Sequence, residues 1–291
     1  MTVRIGVDIG GTFTDVAAVG PDGRVHLGKR LTSVGAENEA VVSATIDSQV
    51  PWTRDTILAH GTTLVINALL ERRIARTALV CTSGFADVHQ LATDARPEPY
   101  CVEYRRDEPL IPQDMCFEIE ERISASGSIL HEPSEGELDA LCASLRKAGP
   151  ECIAIAFINS YIQPSHERLV RSRLEKEFPG VPVCLSSDIS QSPREYQRIT
   201  TAIANAAVSP LMRNYLGRLD SGVRDAGFIG DIVVLDSNGG AQSIDVAMKF
   251  PLRAIESGPV AGAIAARDLA MRHGVENAVV FDMGGTTAKS S

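Results

Sequence analysis

No run of lysine and arginine marks this chain of 291 residues, and its net charge is −9. Nucleic acid and anionic membranes are therefore poor partners, since both are gripped through clustered positive charge. No apolar stretch approaches the roughly 20 residues that a bilayer-spanning helix requires. The opening residues enter a strand pattern and not a signal-peptide pattern, so a cytoplasmic location is expected. Cys81, Cys101, Cys116, Cys142, Cys152 and Cys184 are scattered without CxxC spacing, and the six histidines show no metal-ligand spacing. Zinc or a disulfide framework gains little support, whereas reduced thiols acting as small hydrophobes fit. GxSxG and GxGxxG are both missing, which weakens serine-hydrolase and dinucleotide readings. Gly23 to Arg30 comes near a phosphate-binding P-loop but ends in Arg30 where Ser or Thr must hold Mg²⁺. Val25 and Leu27 alternate there as in a strand following an Asp22-Gly23 turn.

What is present is a repeat. Asp8-Ile9-Gly10-Gly11-Thr12 reappears near the other end as Asp282-Met283-Gly284-Gly285-Thr286, with Thr287 next. Each copy follows an apolar run and sets a carboxylate before a Gly-Gly turn. Val3, Ile5 and Val7 alternate with Arg4, Gly6 and Asp8, the period of a half-buried strand. Val16 and Ala18 can carry the returning strand of a hairpin. Glycines let the backbone approach a ligand, and successive amides form an anion-binding concavity. Thr12 and Thr14 add hydroxyl donors. Asp8 and Asp282 have the hard oxygen donors that Mg²⁺ favours. Two such turns, one on each lobe, fit a clamp around a polyphosphate.

With 44% hydrophobic and 22% charged residues, the composition is that of a soluble globular protein of one large or two modest domains. Glu37 to Ile46 reads as a helix and Ile57 to Ala59 as a short buried strand. His60-Gly61-Thr62-Thr63 then reads as a glycine turn and threonine cap opening a helix through Leu70, a phosphate-friendly geometry or a plain capped helix. Thr77 to Cys81 is a strand. Prolines and charges from Arg96 to Pro112 suggest a surface loop. A hairpin is expected through Glu118–Ile123 and Ser128–Leu130. Ser134 and Glu137 form a capping-box pattern for a helix ending at Gly149. Cys152–Ile158, Ser165–Phe178 and Val181–Leu185 make a strand, helix and strand. Residues 96–189 thus read as an α/β insertion within a first region spanning 1–189, with a second region at 190–291. Ser192-Pro193 starts one helix and Ser209-Pro210 a second. Asp231–Leu235 is a strand opening into Gly239-Gly240, and Ser257-Gly258-Pro259 begins a small-residue helix; both glycine turns could face a ligand cleft.

The paired Asp-x-Gly-Gly-Thr turns resemble the phosphate motifs of the actin, sugar-kinase and heat-shock-chaperone ATPase superfamily. More narrowly, Gly10 to Asp15, His60 to Thr63 with Asn67 to Arg72, Arg194-Glu195-Tyr196, Ser257-Gly258-Pro259 and Phe281 to Thr287 are similar to hydantoinase A/5-oxoprolinase proteins. The resemblance implies a ribonuclease-H-like, actin-like lobe of mixed sheet and flanking helices with an α/β insertion. It implies ATP and Mg²⁺ as cofactors, phosphorylation of the amide oxygen of a cyclic amide such as 5-oxoproline or a hydantoin, and hydrolysis of the C–N bond. A hydantoinase B-type subunit is the implied partner. Asp8 and Asp282 would organise the metal. Gly10, Gly11, Thr12, Gly284, Gly285, Thr286 and Thr287 would hold phosphates. Thr14, Asp15, His60, Thr62, Thr63, Gly239, Gly240, Ser257 and Gly258 are expected near the cleft; no residue is assigned as a general base. Family members run several hundred residues longer, so the chain is expected to be a truncated product with little activity alone. Two alternatives stand: a subunit of an acetone or acetophenone carboxylase, and a non-catalytic sugar-kinase-like binding module.

Overall fold

The computed structural model describes residues 2–32, 35, 37–93, 100–104, 107–283 and 288–290. The elements follow one another as β1 (Arg4–Ile9), β2 (Phe13–Val19), β3 (Val25–Leu31), α1 (Glu37–Asp47), β4 (Ile57–Thr62), α2 (Leu64–Leu70), β5 (Thr77–Thr82) and α3 (Val88–Leu91). Next come β6 (Cys116–Ile119), β7 (Arg122–Ile123), β8 (Ile129–His131), α4 (Glu135–Ala148), β9 (Cys152–Ala156), α5 (Ser165–Glu177), β10 (Val183–Leu185) and α6 (Ser186–Ile189). The remainder is α7 (Glu195–Asp225), β11 (Asp231–Leu235), β12 (Ala241–Ser243), α8 (Ile244–Lys249), α9 (Ser257–Arg272), β13 (Phe281–Met283) and β14 (Ala288–Ser290). Two units arise, one from residues 1–71 with 211–291 and the other from 72–210.

In the first unit six strands lie in the order β12-β11-β4-β1-β2-β3. β1 pairs parallel with β4 and β4 parallel with β11, whereas β1–β2, β2–β3 and β11–β12 are antiparallel. Period-two alternation decides the faces. Val3, Ile5, Val7, Ile9, Val16, Ala18 and Leu58 are buried on one face, as are Val41 and Ala44 of α1 and Met212, Tyr215, Leu216 and Leu219 of α7. Gly28 sets how closely α1 approaches β3. A Cβ built there would lie 2.1 Å from the Ala44 carbonyl oxygen, so no side chain fits.

The second unit holds the parallel sheet β10-β9-β5-β6. Leu138, Leu141, Leu145, Val170 and Leu174 from α4 and α5 pack into one apolar cluster with Ile153 and Ile155. Ile199, Ala202, Ile203 and Ala206 of α7 form the other with Leu79 and Ala154. At the carboxyl ends of the strands the core turns polar. Glu167, fully buried, accepts from Phe157 N at 3.1 Å, Ser186 Oγ at 2.6 Å, Ser187 N at 3.0 Å and Ser187 Oγ at 2.5 Å. Arg198, equally buried, donates from Nη1 to Phe157 O and Ser186 Oγ, each at 2.8 Å. Glu121 takes a hydroxyl bond from Thr82 and pairs with His166 Nδ1 at 2.8 Å. Buried charges persist when their remaining hydrogen-bond sites are filled, and Glu167 is filled from both oxygens.

Several expectations hold. The capping box at Ser134 and Glu137 is formed, and Gly149 closes α4 with φ 62°. Strands appear at 25–31, 77–82 and 231–235. Others differ. Ser209-Pro210 does not restart a helix, because α7 runs on through Pro210. Pro210 removes a single amide donor from the helix. The hairpin expected through Glu118–Ile123 and Ser128–Leu130 forms between β7 and β8, but its first arm is shorter, because Cys116–Ile119 is a separate strand, β6, paired parallel with β5. The inserted unit is 72–210, wider than the expected 96–189, since β5 joins β6 and β9 and not the first sheet. Part of the loop expected at 96–112 lies outside the described residues.

Gly28→Ala forces its methyl into the Ala44 carbonyl and should cost about 1–3 kcal/mol, read as a lowered urea midpoint. Glu167→Gln puts an amide group against donors and leaves Arg198 without the facing charge. It should cost about 3 kcal/mol by the same measurement, and an unchanged midpoint would show that the network contributes nothing.

Candidate functional site

The strand register builds one row across the first sheet. Asp8 of β1 lies opposite Asp15 of β2, and Asp15 opposite Lys29 of β3. On the other side Asp8 lies opposite Gly61 of β4. These residues share the face away from the α1 side. Lys29 Nζ donates to Asp15 Oδ1 at 2.6 Å and sits 4.4 Å from the Phe13 ring centroid. Asp15 is therefore balanced by a cation within its own row, while Asp8 meets acids. Loss of hydration, then the charges of Asp282 and Asp15, raise its carboxyl above the ordinary 3.8.

Two glycines make room for that carboxylate. A Cβ at Gly258 would lie 2.8 Å from Asp8 Oδ1, and one at Gly61 3.5 Å from the same oxygen. Gly258 is held there by its neighbour. Ser257 Oγ accepts from Thr62 N at 3.0 Å and donates to Thr62 O at 3.2 Å, pinning the start of α9 to the end of β4. A cavity of about 600 Å³ opens beside Asp8, walled by Ala17, Leu27, Leu235, Ala261 and Ala265.

The expected residues divide by face. Gly10, Gly11 and Thr12 form the β1–β2 turn, with Gly10 N donating to Phe13 O at 2.9 Å. Thr63 Oγ1 donates to Ile9 O at 3.4 Å, which brings it to the end of β1. Asp15, Gly61 and Gly258 surround Asp8. Asp282, on β13, is near enough for its charge to act on Asp8. Gly284, Gly285, Thr286 and Thr287 lie outside the described residues.

The structure places other residues away from Asp8. His60 and Thr62 belong to β4 itself and not to a turn, so alternation turns them to the buried face, opposite to Gly61. His60 Nε2 meets Tyr215 Oη at 2.8 Å, and burial lowers its pKa from 6.5 to about 4, leaving it neutral near pH 7. Thr62 Oγ1 accepts from Leu64 N, the first residue of α2, at 3.1 Å. Thr14 is also buried, its hydroxyl 2.9 Å from that of Thr32. At Gly239-Gly240, expected near the cleft, amides are engaged from within: Asp236 Oδ1 accepts from Asn238 N at 2.8 Å and Gly240 N at 3.0 Å. Lys29, Tyr215 and Asp236 were not singled out from the sequence. A strand-parity count gives Lys29 the face of Asp15, but their pairing depends on the turn between β2 and β3.

The description "Hydantoinase/oxoprolinase N-terminal region" matches residues 4–178, and "Hydantoinase/oxoprolinase" matches residues 198–291. Caprolactamase subunit alpha of Pseudomonas jessenii is 30% identical over 98% of this chain and 42% of its own length. The 5-oxoprolinase of Saccharomyces cerevisiae is 28% identical over 99% of this chain and 26% of its own. A solved nucleotide-free acetone carboxylase, from work on ATP-dependent acetone carboxylation, superposes with a TM-score of 0.88 at 25% identity. That match covers 100% of this chain and 44% of the other. The chain thus spans less than half the length of each of these relatives. Its α/β fold, a mixed sheet with flanking helices, is of the actin-like ATPase type. By both profile matches, which together take in most of its residues, the chain belongs to the hydantoinase/oxoprolinase family.

Proposed function

We propose that this chain forms part of an ATP-dependent enzyme of the cyclic-amide hydrolase type, and that Asp8 marks its phosphate and Mg²⁺ site. The observation that carries the proposal is the crowding at Asp8: a carboxylate seated between Gly61 and Gly258, its proton affinity raised by loss of hydration and then by the charges of Asp282 and Asp15. A divalent cation relieves that repulsion and takes oxygen ligands. Among the described residues no three acidic, histidine or cysteine side chains cluster as a metal cage. A cation there would complete its shell with phosphate and water, as Mg²⁺ does. Asp8 and Asp282 would hold it, and the amides of Gly10, Gly11 and the second Gly-Gly turn would face the phosphates.

ATP, when bound, would supply the phosphoryl group that activates an amide oxygen. The chain's own part is to position and neutralise charge, which is most of what phosphoryl transfer asks of a protein. Gly258 keeps the backbone close enough for Asp8 to act, and the Ser257 clamp fixes Gly258. A hydantoinase B-type subunit would complete the C–N hydrolysis. The likeness to acetone carboxylase favours one second reading, a carboxylase subunit activating a ketone; assays with 5-oxoproline and hydantoins against acetone with bicarbonate separate the two.

Asp8→Asn should split function from stability. The folded-state pKa lies above the unfolded 3.8. The folded chain therefore holds this proton longer, and stability falls as pH rises from 3.8 through the raised value. At pH 7 the Asn variant should melt higher than the parent; below about pH 3.8 the difference should vanish. The same change should weaken Mg²⁺-dependent binding of ATP, itself expected to be weak in the 291-residue chain, about tenfold or more, measured by calorimetry. Binding that ignores Mg²⁺, or that survives both Asp8→Asn and Asp282→Asn, sinks the assignment.

A further inference from the structure

The row through Asp8, Asp15 and Lys29 holds a pairing that stability alone does not explain. Carboxylates set directly opposite one another across a sheet repel and weaken it, yet Asp8 lies opposite Asp15. Loss of hydration raises the Asp8 carboxyl first, and the charges of Asp282 and then Asp15 add to it. Three carboxylates thus act on one small region, and Lys29 answers one of them. Register sets Lys29 opposite Asp15, on the far side from Asp8. Its ammonium is fixed twice. Nζ stands 2.6 Å from Asp15 Oδ1 and 4.4 Å from the ring centroid of Phe13, which shares the face of Asp15 two residues earlier. Among the described residues that line the cavity beside Asp8, Lys29 is the one cation; the others are Asp8, Asp15, glycines and aliphatic side chains.

We infer, resting on the reading of Asp8 as the Mg²⁺ site, that Lys29 is a positioning residue: by holding Asp15 it makes cation binding at Asp8 depend on nucleotide. A bare cluster of three carboxylates attracts a divalent cation with or without phosphate, because hard cations seek charged oxygens. With Asp15 Oδ1 occupied by an ammonium, two carboxylates remain, Asp8 and Asp282. Mg²⁺ is commonly held by one or two carboxylates completed by phosphate oxygens and water. Nucleotide then supplies what Asp15 is kept from supplying. Both side chains of the pair are 56% exposed, so water screens the bond and it adds little to the hold between strands. Its consequence lies in where the positive charge sits. An ordinary cross-strand ion pair would show the same distances but would leave cation affinity untouched, and that difference can be read directly.

The test titrates the 291-residue chain with Mn²⁺ at low ionic strength and without nucleotide, counting free Mn²⁺ by its electron paramagnetic resonance signal. Lys29→Met should raise the affinity about tenfold, as expected when a positive charge is removed near a bound cation. Lys29→Arg keeps the charge and should bind as the parent does. Adding Asp15→Asn to Lys29→Met should cancel the gain, and so should adding Asp8→Asn. Melting temperatures in EDTA report whether each variant is folded, and Lys29→Gln replaces the methionine variant if that one is not. Equal Mn²⁺ affinity in the parent and Lys29→Met, both still lowered by Asp8→Asn, overturns the inference and leaves the Asp8 reading standing. Binding absent from both, or indifferent to Asp8→Asn, removes that reading and the inference together. A gain that survives Asp15→Asn also overturns it, since Lys29 would then act on the cation directly. So does weaker binding of tripolyphosphate to Lys29→Met in EDTA, which would make the ammonium a phosphate ligand.

Discussion

One hydroxyl holds the candidate site together. Ser257 bonds both the amide and the carbonyl of Thr62, residues 195 positions apart in sequence, and so fixes where α9 begins relative to the end of β4. Everything near Asp8 inherits that position. Gly258 follows immediately and lies against the Asp8 carboxylate; Gly61 precedes Thr62 and lies on its other side. Neither glycine is at a positive φ, so their value here is the missing Cβ and the close approach it allows. A helix start displaced by one residue would present Pro259 or Ser257 to Asp8 instead.

The two units solve burial in opposite ways. The inserted unit encloses charge: Glu167, Arg198, Glu121 and His166 are sealed at the carboxyl ends of a parallel sheet, with backbone amides and hydroxyls as partners. The first unit encloses hydroxyls and the neutral His60 but, among the described residues, no carboxylate or cation, and it sets its carboxylates on the face that stays open. That division suits a site meant to exchange ligands, since a carboxylate already satisfied by four donors, as Glu167 is, has little left to offer a cation.

Much of the fold was legible. Alternation through Val3, Ile5 and Val7 marked β1, and the Ser134–Glu137 pair marked the start of α4, because both signals are local. The Asp8 turn was legible too, as its Gly-Gly pair and carboxylate are contiguous. Pairing was not. Nothing within Thr77–Thr82 says that β5 joins β6 and β9, so the insertion was drawn too short. Strand ends misled as well: His60-Gly61-Thr62 has the composition of a turn, yet parallel pairing with β1 carries the strand through Thr62. That single extension turns His60 and Thr62 inward and leaves Gly61 alone on the side of Asp8. The turn at Gly239-Gly240 was found, but not that Asp236, three residues earlier, already occupies its amides.

The sealed network of the inserted unit constrains how such a chain can diverge. Glu167 and Arg198 share Phe157 and Ser186 as partners, so replacing either alone strands the other in a medium that solvates ions poorly. A lineage can abandon the arrangement only by exchanging several positions within a short span of generations. These residues should therefore change as a block or hardly at all, giving the inserted unit a slower molecular clock in its polar centre than in the aliphatic layers around it.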